Sequence, residues 1–315
     1  MCRSMLKDSA IIACVLVYLL VRLAIGFPPS SWKVVRRSLG PADEYGAPES
    51  RYLTCDDPLI RSEPGAYTYV SDGVKRLCSL YVAAPVDHVV EIEFVYLDVS
   101  CEEDGAVVLL DGWELDHEIF PSPNDHPQPM TARYLPFCGQ MTPTEVYTTG
   151  QNIAQLHFVV PTLGEGFTIV LNFLVNPKPC NMMLLTNKYD KIQLTNFGLR
   201  RNCTVMSLYP QRVQLSYVSV GEREPNDEFD TSAGLRSLCS SEGGLDRVQL
   251  YQGTGVGSLG RRLVLEFCGV RQTSAPRAVK LRCHSSAIRL ESSGLFDNVI
   301  KFDFLPAERD DGIFC

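Results

Sequence analysis

Residues 247–269 read RVQLYQGTGVGSLGRRLVLEFCG, and the fold turns on the residues after the glycines. Gly255, Gly257 and Gly260 fit G-x-G-x-x-G, the fingerprint of a turn that receives a dinucleotide pyrophosphate. That chemistry needs a helix after the glycines, whose amino end turns N–H groups and partial positive charge toward the phosphate. Here the glycines lead into RRLVLEF, which alternates as a strand and runs into Cys268. The run Val248 to Tyr251 before them reads as a strand too. The stretch is therefore read as two strands joined by a glycine-rich loop, and the nucleotide reading fails.

The same alternation recurs along the chain. VVEIEFVYL (89–97), LHFVV (156–160) and FTIVLNF (167–173) come first, and 213–220, 263–267, 287–290 and VIKFDF (299–304) come later. The period is two, the residues are β-branched and aromatic, and Gly, Pro, Asn or Asp separate the runs. No long helical period interrupts them, so the fold class is all-β, built as sandwiches.

Residues 1–26 differ from the rest. Arg3 and Lys7 precede an apolar run from Ile11 to Val21, and Ala24-Ile25-Gly26 offers small residues for cleavage. Arg22 ends the run well short of the ~20 residues a membrane span needs. The segment reads as a secretory signal peptide, which implies a secreted, extracellular protein. Residues 27–50 are rich in Pro, Ser, Gly and charge and read as a flexible leader. Losing Arg3, Lys7, Arg22 and Asp8 with the signal takes the formal net charge from −8 to −10. An acidic chain argues against nucleic acid or an anionic membrane as partner.

Cys2 and Cys14 leave with the signal, and ten cysteines remain: Cys55, Cys78, Cys101, Cys138, Cys180, Cys203, Cys239, Cys268, Cys283 and Cys315. An even number in a secreted chain points to disulfides. No two lie as close as a zinc C-x-x-C pair, and the five histidines form no ligand spacing. The chain also repeats itself. The spacing from Cys55 to Cys78 returns from Cys180 to Cys203, VVLLDG (107–112) returns as VQLYQG (248–253), and Phe137-Cys138-Gly139 returns as Phe267-Cys268-Gly269. GEGFTIVLNF (164–173) parallels SSGLFDNVIKFDF (292–304). The repeat implies two tandem domains, 51–177 and 178–315, joined at Asn176-Pro177-Lys178-Pro179. The glycine loop then takes its place in the repeat, with Gly253 the counterpart of Gly112.

The order of these signals resembles the CUB domain, a β-sandwich (jelly-roll) module. More specifically, DGWELDHEIFPSPNDHPQP (111–129), RYLPFC (133–138), NPKPCN (176–181), RRNCT (200–204) with YP (209–210), TSAG (231–234) and the closing FC (314–315) resemble the family of corticotropin-releasing factor-binding proteins. The second domain is the more divergent. The resemblance implies two CUB-like domains stapled by the pairs Cys55–Cys78, Cys101–Cys138, Cys180–Cys203, Cys239–Cys268 and Cys283–Cys315, the last pinning the tail. Residue counting alone leaves very many pairings of ten cysteines open. It also implies a glycoprotein that sequesters a CRF-like neuropeptide of diuretic-hormone type and limits receptor activation. The alternative is a CUB-type extracellular interaction or protease-regulating module without hormone binding. A monomer or weak dimer is expected.

The family ties hormone binding to an Arg four residues before the first mature cysteine and an Asp two after it, positions held here by Arg51 and Asp57. A long amphipathic peptide would lay an apolar face in a groove. Tyr52, Trp113, Phe120 and Tyr134 are candidates to line one, although such aromatics are more often core residues. Many CUB domains hold calcium near the third cysteine. Asp98 and Asp104 match two ligands, but Pro161 stands at the third position and Ser292-Ser293 at its counterpart, so no metal and no cofactor are expected. Asn202-Cys203-Thr204 is the N-glycosylation sequon. Ser232 and Ala233 lie in a segment where the family's two halves can be cut. No G-x-S-x-G, H-E-x-x-H or P-loop is present, and an enzyme is not expected.

Overall fold

The computed structural model describes residues 35–36, 50–55, 59–140, 143–186, 188–221, 239, 246–257, 260–272 and 278–307. Its one described helix is a single turn, Met130–Arg133, and the other elements are strands. The sequence forms strands because alternate residues have a core to enter. In His88–Asp98, Val90, Ile92, Phe94 and Leu97 are buried while Glu91 and Glu93 face outward. This strand lies within a six-stranded sheet, in the order Val35–Arg36, Glu145–Thr148, His88–Asp98, Gly166–Val175, Gly65–Val70, Arg51–Tyr52. Facing it is a five-stranded sheet, Tyr134–Phe137, Ala106–Leu110, Ile153–Val159, Cys78–Ala83, Leu59–Arg61. Both sheets feed one core that includes Leu80, Leu156, Phe158, Phe167 and Ile169. The pair is a β-sandwich.

Residues 182–306 repeat the plan. One five-stranded sheet runs Met182–Leu184, Arg201–Ser207, Ser285–Ser292, Arg247–Gly253, Arg261–Phe267. The other runs Tyr189–Thr195, Val299–Pro306, Gln211–Val220, Gly269–Gln272, with Val279–Leu281 also on Gln211–Val220. Val205, Val218, Leu250, Leu290, Phe302 and Phe304 share its core. In both sandwiches the two central strands carry a bulge. Val95 is the extra residue where the register shifts opposite Thr168/Ile169, and Ser216 is the extra residue between Leu215 and Tyr217. The chain is thus all-β, two tandem sandwiches of the kind the CUB resemblance implies.

The structure joins Cys55 to Cys78, Cys101 to Cys138, Cys180 to Cys203 and Cys239 to Cys268, with Cα atoms 5.2, 5.3, 4.6 and 5.7 Å apart. Each such bridge contributes about 2–4 kcal/mol by restricting the unfolded chain. Cys315, the expected partner of Cys283, lies outside the described residues, as do 1–26. Within residues 27–50, one short segment pairs with the first sandwich. Val35–Arg36 is a strand, with Val35 opposite Val146 and Arg36 opposite Glu145. Composition missed it because the strand is two residues long and gains its order from the open edge of a distant sheet.

The two sandwiches meet along a mixed junction. A third apolar cluster takes Ala83, Trp113, Phe120 and Ile153 from the first and Met183, Met206 and Val256 from the second. Around it the polar contacts are specific. Asn152 accepts from the Met183 N–H (2.9 Å) and donates to the Met183 carbonyl (2.9 Å). Asp125 accepts from Arg289 Nε (2.9 Å) and Thr204 Oγ1 (2.8 Å), and Asn181 Nδ2 donates to its carbonyl (3.0 Å). The glycine-rich loop belongs to this junction. It connects two antiparallel strands, Val248 pairing with Phe267 and Leu250 with Leu265. Its amides still bind an anion, but one from the same chain: Gly257 N–H donates to Glu118 Oε2 (2.9 Å) and Gly260 N–H to Oε1 (3.1 Å). A Cβ on Gly257 would lie 2.7 Å from Glu118 Cβ, so glycine is required by the close approach. Burial pulls the Arg261 pKa down, opposed by the Asp125 and Glu118 charges.

Candidate functional site

Arg51 lies in Arg51–Tyr52, the edge strand of the six-stranded sheet, which pairs parallel with Gly65–Val70. It stands opposite Tyr67, whose ring is fully buried in the first core. Arg51 Nη1 donates to the Tyr67 hydroxyl (2.9 Å), and the guanidinium carbon lies 5.6 Å from the Tyr67 ring centroid. The hydroxyl in turn donates to the Glu63 carbonyl (2.8 Å), and Arg51 Nη1 is 2.7 Å from Glu63 Oε2. The Tyr67 hydrogen bond is the main reason the Arg51 pKa is raised. The Arg51 and Glu63 side chains are 50% and 71% exposed, so the cluster is a surface feature hung on a buried tyrosine. Asp57 lies outside the described residues.

The candidate aromatics separate. Trp113 and Phe120 are buried in the junction cluster, and Trp113 Nε1 donates to the carbonyls of Val82 (3.1 Å) and Ala154 (2.9 Å). They are core residues, not a groove. Tyr134 is half-buried and donates to Glu114 Oε2 (3.0 Å); burial first, then Glu114, raises its pKa. Tyr52 alone is at the surface beside Arg51, 72% exposed. It begins a row across the outer face of the sheet, where Tyr52 pairs with Thr68, Thr68 with Thr168 and Thr168 with Tyr96. Ser50, Thr68 and Thr168 are linked by hydroxyl hydrogen bonds of 2.6 and 2.8 Å, and Tyr96 is exposed. Glu63 and Tyr96 did not stand out in the sequence. Glu63 is brought to Arg51 by the turn before Gly65–Val70, and Tyr96 reaches the outer face because the Val95 bulge shifts the alternation.

The other candidate positions are local structure. Asp98 accepts from the Tyr96 hydroxyl (3.3 Å), and Asp104 faces Lys75 Nζ at 2.9 Å. Glu165 Oε2 accepts from the Ser100 N–H (2.8 Å), and Pro161 lies just beyond the strand Ile153–Val159. Among the described residues no group of three or more His, Cys, Asp or Glu could hold a metal ion. Asn202 is half-buried in Arg201–Ser207, and its Nδ2 donates to the Asn124 carbonyl (3.0 Å). The Thr204 hydroxyl of the same sequon is buried on Asp125. Ser232 and Ala233 lie outside the described residues. No described helix is long and apolar enough to cross a membrane.

Comparison with known proteins bears on the whole chain. Residues 48–174 match the family model of the corticotropin-releasing factor binding protein N-terminal domain. Residues 191–311 match that of the C-terminal domain. Similar relatives include corticotropin-releasing factor-binding proteins of Rattus norvegicus (29% identity, 83% of this chain and 78% of that one) and Ovis aries (30%, 82% and 76%). The Homo sapiens protein is 28% identical over the same share as the rat one, 83% of this chain. Among solved structures, the CUB1-EGF-CUB2 domains of rat MASP-1 align over 82% of this chain and 100% of their own at 11% identity and a TM-score of 0.25, and it is the sheets themselves that establish the fold. With both family models matched in order along two tandem sandwiches, the chain belongs to the corticotropin-releasing factor-binding protein family.

Proposed function

We propose that this chain is a secreted binding protein that captures a CRF-like peptide of the diuretic-hormone type and limits its access to receptors. The observation that carries the reading is the match of both family models, which together cover most of the chain. The relatives are named for binding corticotropin-releasing factor. The Arg51 cluster supports it from the structural side, because an exposed guanidinium anchored on a buried tyrosine is a preorganised contact for a partner. In this reading Arg51 and Asp57 contact the hormone, residues 1–26 direct secretion, and Asn202 carries a glycan. The four bridges of the structure suit an oxidising extracellular setting.

A receptor-activation assay tests the reading. Purified secreted protein, added to an amidated CRF-like peptide of the same organism, is expected to shift the peptide's dose–response curve to higher concentration in proportion to the protein added. An unshifted curve with protein in molar excess contradicts sequestration.

A further inference from the structure

Resting on that reading, we propose that an amphipathic helix of the peptide lies across the outer face of the six-stranded sheet, along the row from Tyr96 to Tyr52, with its basic flank toward Asp98. Strand register builds the row: Tyr96 stands opposite Thr168, Thr168 opposite Thr68 and Thr68 opposite Tyr52. The row beside it holds Asp98, Gly166 and Val70. The residues between these rows, Leu97, Phe167 and Tyr69, are buried in the first core, so both rows face outward. The outer face of such a sheet is ordinarily polar. Here Val70, Val95 and Tyr96 are 51%, 50% and 47% exposed, close together on neighbouring strands, and such a patch marks an interaction surface. Its middle is low and fixed. Between the two tyrosines the row has only the hydrogen-bonded threonines, and Gly166 admits no side chain, since a Cβ there would lie 2.0 Å from the Tyr69 carbonyl oxygen. Four adjacent strands span about 14 Å, the length of about nine or ten helical residues. Apolar residues at i, i+3 or i+4, and i+7 of a helix thus meet the row in turn. Charge decides the flank. The strands His88–Asp98, Gly166–Val175 and Gly65–Val70 contain no lysine or arginine, while Glu91, Glu93 and Asp98 share their outer face. That acidic margin repels an acidic flank and matches a helix whose apolar stripe is bordered by lysine or arginine.

The experiment is a binding titration of the full secreted chain with a synthetic amidated CRF-like peptide, run with Tyr96→Ala, Asp98→Lys and, as a control on a sheet of the second sandwich, Tyr217→Ala. It includes peptides whose Lys and Arg residues are replaced singly by Glu. Tyr96→Ala is expected to weaken binding about fivefold or more, Asp98→Lys about tenfold or more, and Tyr217→Ala not at all. One charge-reversed peptide binds the natural sequence weakly and regains affinity on Asp98→Lys, a recovery that a misfolded variant would not give. Unchanged affinity in both Tyr96→Ala and Asp98→Lys overturns the inference and leaves hormone binding standing. So does a peptide set in which no reversal recovers on Asp98→Lys, or an equal loss in all three variants. Sedimentation of the peptide-free chain supplies the other check: self-association that Tyr96→Ala abolishes gives the face to a second copy and overturns the inference. Absence of saturable binding in every variant overturns the functional reading and this inference together.

Discussion

His157 shows burial setting a titration. Its Nδ1 is 3.0 Å from Ser79 Oγ, and its Nε2 is buried without a hydrogen-bond partner among the described residues. Burial lowers its pKa, opposed by the Glu114 charge. The folded state therefore prefers the neutral ring. The stabilisation is fully present above the unfolded-state value of about 6.5 and is lost as pH falls from there through the folded value, at up to about 1.4 kcal/mol per pH unit. Thermal unfolding is expected to show a lower melting temperature at about pH 5.5 than at about pH 7.5, with a smaller difference in His157→Asn. An equal difference in the two proteins refutes the assignment. The alternation of LHFVV was enough to place His157 on the face opposite Leu156 and Phe158, but nothing in it told how dry that face is. Arg51 is the opposite case. Its surface position means that Arg51→Ala leaves the melting temperature unchanged, so any loss of binding in that variant is not a folding defect.

At the scale of elements, the glycine loop between Arg247–Gly253 and Arg261–Phe267 shows which part of a site the sequence can carry. RRLVLEF reveals a strand, because alternation is local, and that excludes the nucleotide turn. The occupant of the loop was hidden, because Glu118 lies 139 residues from Gly257 and no short window contains both. The loop amides bind a carboxylate as such turns do, and the site is filled from within. Glu118→Gln weakens two charge-assisted hydrogen bonds and is expected to lower stability by about 1–2 kcal/mol. Gly257→Ala forces a methyl against Glu118 and is expected to cost about 1–3 kcal/mol. Denaturant unfolding measures both, and a midpoint unchanged in either variant contradicts the latch. The Val95 and Ser216 bulges were likewise invisible, since a one-residue slip is written in strand pairing rather than composition.

Over the whole molecule, the stretch that made the family legible, DGWELDHEIFPSPNDHPQP, also builds the junction. Trp113 and Phe120 fill the shared apolar cluster, Glu118 enters the glycine loop, and Asp125 meets Arg289 and Thr204. Trp113 and Phe120, which could have lined a peptide groove, are spent on joining the two sandwiches, and Tyr134 is half-buried on Glu114, so Tyr52 alone of the four candidates remains at the surface beside Arg51. The Asp125 carboxylate is 2% exposed and Arg289 16%, so Asp125→Ala removes the shorter ion pair of a largely buried cation and leaves it Glu291 at 3.6 Å and the Gln249 hydrogen bond. It is expected to cost about 2–3 kcal/mol and to split a single calorimetric transition into two as the sandwiches uncouple. One unsplit transition at the wild-type temperature contradicts the coupling.

Binding of a CRF-like peptide through the edge carrying Arg51 is decided by calorimetric titration of the secreted protein with the amidated peptide, beside its Arg51→Ala and Asp57→Ala variants. Saturable binding tighter than micromolar is expected for the natural sequence, with a weakening of about tenfold or more in Arg51→Ala. Absence of saturable binding, or equal affinity in all three proteins, would contradict it.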